Sequence, residues 1–227
     1  MRQPPAPGLG ERLLCLFFPA RCLACGAVVY PEELFCPACR ETLPAQPCSR
    51  RLDVPGAGKL PVVSPLPYAG GYREALHQYK FQGYKGDAGR LGRLMAPCAE
   101  LLGKGFDGVA YVPLSPKSRR SRGYDQSRLL AKTVAKSLGL PLLDALEKVR
   151  ETKTQHRLGR EDRAQNVQGA YRANGLAAGK GLLLIDDIVT TGATLTECAA
   201  ALYQAGAKSV AGLCAADAPA PENERRP

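Results

Sequence analysis

Residues 182–196 read Leu-Leu-Leu-Ile-Asp-Asp-Ile-Val-Thr-Thr-Gly-Ala-Thr-Leu-Thr, and their order decides the fold. Four aliphatic residues, Leu182 to Ile185, precede two carboxylates, Asp186 and Asp187. An unbroken aliphatic run of this kind marks a strand buried on both faces. Thr190, Thr191, Gly192, Ala193 and Thr194 come next, and Leu195 to Gln204 has helical character. In open α/β sheets ligands bind beyond the carboxyl ends of the strands, so the acid pair stands where a ligand would.

Each part then has a chemical use. Gly192 lets the backbone come close, and the helix that follows offers unpaired N–H groups and the positive end of its dipole, together an anion site. The hydroxyls of Thr190, Thr191 and Thr194 add donors. Carboxylates beside an anion cradle are reconciled by a sugar phosphate: the acids accept hydrogen bonds from ribose hydroxyls while the loop holds the phosphate. The bland alternative is a strand, a turn and a capped helix, where Asp and Thr are common. Two adjacent acids followed by TTGAT are more specific than that. The stretch resembles the phosphoribosyl pyrophosphate (PRPP) signature of type I phosphoribosyltransferases. The resemblance implies that Asp186 and Asp187 bind the ribose 2- and 3-hydroxyls and that residues 190–194 bind the 5-phosphate.

The 227 residues suffice for one full domain with a small appendage. Lys and Arg number 31 against 21 acids, and the resulting +10 points to anionic partners while saying nothing about fold. Residues 117–163 hold 13 cations and 6 acids, a local +7, which leaves only +3 elsewhere. The nine cysteines are odd in number. The apolar residues 13–18 are too few for a secretory signal, and no run approaches a membrane span. A cytoplasmic, reducing setting is expected, with no membrane insertion, and there clustered cysteines favour a metal over disulfides. Cys22-Leu-Ala-Cys25 and Cys36-Pro-Ala-Cys39, ten residues apart, supply four thiolates that close a tetrahedral structural zinc site. Four thiolates leave no open position for catalysis. Cys48 is isolated.

Along the chain, residues 1–10 read as a flexible leader, 11–48 as the zinc-binding module and 49–71, rich in Pro and Gly, as a linker. Residues 72–216 form the main domain and 217–227 a tail. Helices expected over 72–81, 87–102 and 124–138 alternate with strands over 108–113 and 209–215, which predicts an α/β domain with a mainly parallel sheet flanked by helices. Tyr79, Lys80, Phe81, Tyr84 and Lys85 interleave aromatics and cations, a mixture that suits either a base-stacking contact or a surface turn. Behind the strand at 108–113 stand Ser115, Lys117, Arg119, Arg120 and Arg122, with Asp125 the nearest acid. Such a cluster wants an anion whose charge is spread over several oxygens. Residues 149–168 are polar and long, as in a functional lid or a disordered stretch; a lid over PRPP would exclude water, and in the phosphoribosyltransferase frame Lys153, Arg157 or Arg160 would complete the site.

Four blocks in order, the paired C-x-x-C knuckles, VPLSPKSRRSRGYDQS, TQHRLGREDRAQNVQGAY and LLLIDDIVTTGATLTE, resemble the ComF family, phosphoribosyltransferase-like proteins linked to DNA uptake in natural competence. The resemblance runs from about residue 13 to 216, with one departure: relatives often carry another C-x-x-C where only Cys48 stands here. It implies a type I phosphoribosyltransferase-like domain behind a small four-cysteine zinc module. It also implies that residues 115–122 form the pyrophosphate loop and that Mg²⁺ bridges the ribose hydroxyls and the leaving group. Two functions stay open. One is an enzyme transferring phosphoribose, with release of pyrophosphate, to an acceptor that no residue identifies; the other is a PRPP sensor or scaffold that binds single-stranded DNA and a competence helicase.

Overall fold

The computed structural model describes residues 19–30, 33–44, 46–81, 87–152 and 165–218. The cysteine knuckles end in α1 (Pro37–Thr42), and an antiparallel hairpin follows, β1 (Cys48–Val54) and β2 (Gly58–Ser64), with a short strand, β3 (Leu66–Pro67). Next come α2 (Gly70–Phe81) and α3 (Asp87–Met95), the second running into a 3-10 segment, Ala96–Leu102. β4 (Gly108–Tyr111) leads through α4 (Pro116–Arg122) to α5 (Gln126–Leu138). A small antiparallel pair, β5 (Leu146–Lys148) and β6 (Tyr171–Ala173), precedes β7 (Gly181–Val189), α6 (Ala193–Gln204) and β8 (Ser209–Asp217).

The main sheet runs β1-β2-β8-β7-β4, with β3 also on β8. Every pairing in it is parallel except β1 with β2. The expected aliphatic strand lies between β8 and β4, and Leu182 to Ile185 are each 0% exposed. Alternation along a strand sends neighbours to opposite faces. Leu182 and Leu184 pack in one cluster with Leu195, Cys198 and Leu202 of α6; Leu183 and Ile185 join the other with Leu91 and Met95 of α3 and Leu130 and Val134 of α5. Burying each such side chain stabilises by roughly 1.5–3 kcal/mol before chain entropy is counted.

Residues 49–71 are not a linker. They hold β1, β2 and β3, and Leu60, Val62 and Val63 of β2 are buried against the sheet. The prolines and glycines of this stretch include Gly56 in the hairpin turn and Gly58 at the start of β2, and Pro61 lies within β2 itself. A proline is tolerated in a strand where the ladder needs no N–H from it.

The cysteine module is packed into the main core. Cys22, Leu23, Val29 and Phe35 belong to the same cluster as Leu76, Tyr79 and Leu91. Arg90 of α3 donates from Nη2 to the Glu33 carbonyl at 2.9 Å. The first knuckle also touches α2 so closely that a Cβ added to Gly71 would lie 1.3 Å from the Ala24 carbonyl oxygen. Tyr79 is 0% exposed and donates to the Gln126 carbonyl at 2.8 Å, so it is a core residue and not a surface stacking group. Residues 1–18 and 219–227, which cover the expected leader and nearly all of the tail, lie outside the described residues. No helix among the described residues is long and apolar enough to cross a membrane.

Candidate functional site

Asp186 and Asp187 close the buried run of β7, and both are nearly inaccessible, at 9% and 8% exposure. Asp186 Oδ1 accepts from the Ser127 hydroxyl at 3.0 Å and from the Asp187 N–H at 2.9 Å. Asp187 Oδ1 accepts from the Ile188 N–H at 2.7 Å. Carboxylates buried this deeply persist because such donors replace water.

Thr190, Thr191 and Gly192 make the bend between β7 and α6, and Ala193 and Thr194 open the helix. Gly192 stands at the N-cap with φ +83°, a conformation that favours glycine, and supplies no capping side chain. The first N–H groups of a 12-residue helix therefore face this end, beside the acid pair. Thr191 Oγ1 accepts from the Ala193 N–H at 3.4 Å. Residues 190–194, expected to hold a 5-phosphate, and the two acids thus occupy one end of one strand.

The basic segment behind β4 is a helix, α4, and not the loop expected for pyrophosphate. Ser115 is 1% exposed and its hydroxyl is used as an N-cap, accepting from the Ser118 N–H at 3.2 Å, with Pro116 at the first helical position. Lys117, Arg119 and Arg120 are exposed along this turn. Arg119 lies 3.9 Å from the buried Asp125, and Arg120 Nε donates to the Pro116 carbonyl at 3.4 Å. The backbone of Arg122 closes the helix; its side chain lies outside the described residues. Asp125, counted as one acid among many cations, is a structural pin. Its carboxylate accepts from the N–H groups of Leu114 at 2.9 Å and Arg128 at 3.1 Å, tying the end of β4 to the start of α5. Burial pushes its pKa up against those donors.

A cavity of about 520 Å³ opens beside this segment, bordered by Tyr111, Arg119, Tyr124, Arg128 and Asp144. Its polar groups satisfy one another: Tyr111 donates to Asp144 at 2.6 Å and accepts from Arg128 Nε at 3.2 Å. The expected lid springs from the β5–β6 pair, whose far side is tied to α6 by the Gly169 N–H donating to Glu197 at 2.6 Å. Lys153, Arg157 and Arg160 lie outside the described residues. Sequence reasoning missed Lys148, the last residue of β5. Its ammonium donates to Thr152 Oγ1 at 2.8 Å and stands 5.3 Å from the centre of the Tyr171 ring. Burial lowers its pKa, partly opposed by Glu151 and Asp186.

Cys22, Cys25, Cys36 and Cys39 bring their sulfurs within 4.8 Å of one another. Tetrahedral zinc with Zn–S bonds of about 2.3 Å requires S···S edges of about 3.8 Å. Cys25 and Cys36 are already 3.7 Å apart, and the Ala24 N–H points at Cys22 Sγ from 3.4 Å, the kind of donor that supports a thiolate ligand. The donor set fits zinc as a closed structural site.

Comparison with known proteins agrees with this assembly. Residues 125–226 match the model of the phosphoribosyl transferase domain, and residues 20–44 match a rubredoxin-like zinc ribbon, that of ChsH2. The chain is therefore a phosphoribosyltransferase-type α/β protein carrying a four-cysteine zinc ribbon. It is 31% identical over 201 residues to DNA utilization protein YhgH of Salmonella typhimurium, covering 85% of this chain and 88% of that one. It is 33% identical over 111 residues to competence protein F of Haemophilus influenzae, covering 46% and 47% of the two chains. It belongs to the ComF family. Among solved structures, the allosteric regulatory enzyme of purine biosynthesis is similar at a TM-score of 0.45 and 22% identity, over 62% of this chain and 30% of that one.

Proposed function

We propose that the end of β7 is a PRPP site and that the protein transfers phosphoribose to an acceptor, in the handling of DNA taken up by the cell. The observation that carries this reading is the meeting of a buried acid pair and the N-terminus of α6 at one strand end, the two halves of a ribose-phosphate recognition surface. Asp186 and Asp187 orient the ribose hydroxyls, and residues 190–194 hold the 5-phosphate. Lys117, Arg119, Arg120 and Arg122 attract the pyrophosphate, and Lys153, Arg157 and Arg160 belong to the lid. Mg²⁺ would be held together with the PRPP that Asp186 and Asp187 orient and would supply charge neutralisation to the leaving pyrophosphate. In the reaction the C1–O bond to pyrophosphate breaks, the electron pair leaves with the pyrophosphate, and the acceptor forms a new bond to C1. The chain's own contribution is positional and electrostatic.

Names of the relatives, in DNA utilization and competence, support the DNA context. The +7 of residues 117–163 favours a second reading, a PRPP-responsive scaffold for single-stranded DNA and a helicase. PRPP with Mg²⁺ is expected to raise the melting temperature, and Asp187→Ala to abolish the rise; an unchanged melting curve for the wild type overturns the site. Pyrophosphate release with candidate bases or nucleic acids supports transfer. PRPP binding without release under every acceptor tried supports the scaffold.

A further inference from the structure

One side chain from outside the matched phosphoribosyl transferase segment, residues 125–226, grips the phosphate loop. Arg50 of β1 donates from Nη1 to the Thr190 carbonyl at 2.6 Å and from Nη2 to the Ala218 carbonyl at 2.9 Å. Its Nε and Nη2 also pair with both carboxylate oxygens of Asp217, the last residue of β8, which is 7% exposed. On the same face of β1, two residues along, Leu52 covers the loop glycine: a Cβ on Gly192 would meet Leu52 Cδ1 at 2.4 Å. Arg50 and Leu52 are half-buried, whereas the alternate residues Arg51 and Asp53 are exposed.

A guanidinium is a planar fork, so bonds to a carboxylate and two carbonyls fix the relative positions of all three. The Thr190–Thr191 peptide is planar and trans, with its carbonyl and N–H pointing in opposite directions. Holding the Thr190 oxygen toward the hairpin therefore aims the Thr191 N–H away from it. We propose that Arg50 is a positioning residue for the 5-phosphate, orienting the Thr191 N–H toward that group while Leu52 holds Gly192 beneath it; this rests on the PRPP reading above. The hairpin then completes the phosphate site.

Calorimetric titrations of the full-length, zinc-loaded protein with PRPP, ribose 5-phosphate and pyrophosphate, each with Mg²⁺, test this in wild type, Arg50→Met and Arg50→Lys. Both variants are expected to lose about tenfold or more in ribose 5-phosphate affinity, the scale of one charge-assisted hydrogen bond, with pyrophosphate affinity held within about twofold. Arg50→Lys keeps the charge and loses the fork, so it serves if Arg50→Met does not fold. The Thr191 amide should exchange faster in the folded variant. Unchanged ribose 5-phosphate affinity, or equal loss for both ligands, overturns the inference. Failure of the wild type to bind PRPP or ribose 5-phosphate overturns the site reading first and the inference with it.

Discussion

The Ser127 hydroxyl and the Asp186 carboxylate meet at 3.0 Å, joining the first turn of α5 to the end of β7. Ser127 is itself buried, so this bond is made in a dry environment and holds one oxygen of the acid pair in place. Ser127→Ala should destabilise the protein by about 1–3 kcal/mol and weaken PRPP·Mg²⁺ binding. Denaturant unfolding and calorimetry measure the two effects, and unchanged values for both would mean that Asp186 is held without Ser127.

Zinc should be present at about one ion per chain. The double variant Cys22→Ser with Cys36→Ser is expected to lose it, and elemental analysis checks this directly. Because Leu23 and Phe35 pack in the same cluster as Leu76 and Leu91, chelation should also lower the melting temperature of the whole protein. Full metal content in the double variant would show that other residues bind it.

Two helical glycines should respond oppositely to alanine. Gly71→Ala would drive a methyl group into the Ala24 carbonyl, 1.3 Å away, and is expected to cost at least about 3 kcal/mol. Gly89→Ala, on α3, meets nothing nearer than Arg93 Nη1 at 3.8 Å and should stabilise by about 0.5–1 kcal/mol. Urea denaturation of the pair separates close docking of the zinc module from simple helix propensity.

Lys148 gives a pH prediction. Burial lowers its folded pKa below the ordinary 10.5, so between those two values the unfolded chain holds a proton that the folded one lacks. Stability must then rise with pH through that window, and the penalty is fully present below it. Lys148→Met should therefore be more stable than wild type at neutral pH. The advantage should shrink as pH rises toward 10.5; an advantage independent of pH would mean that the gain comes from packing.

What could be read in the chain beforehand was whatever is encoded locally. Leu182 to Ile185 announce a buried strand because every residue is aliphatic, and Cys22 to Cys39 announce a metal site because the ligands are close in sequence. The helical nature of α4 is also encoded locally, in the capping pair Ser115-Pro116, although the density of cations behind it has the look of a basic loop. Arg50 was hidden. Its partners, Thr190 and Asp217, lie 140 and 167 residues away, and no local pattern marks a side chain whose use depends on such distant neighbours. Tyr79 carries no local mark of burial, because its hydroxyl finds the Gln126 carbonyl only after α2 and α5 have packed.

The place of β8 also fixes an order of events during synthesis. Val62 of β2 pairs with Gly212 of β8, so the early hairpin leaves the ribosome 150 residues ahead of the strand it adjoins. β7 likewise waits for β8 on one side. Until β8 is made, the nascent protein carries two strand edges with unmade ladders, the condition that invites aggregation. Slow translation or truncation near residue 209 should thus be especially damaging to yield, for reasons unrelated to the chemistry of the site.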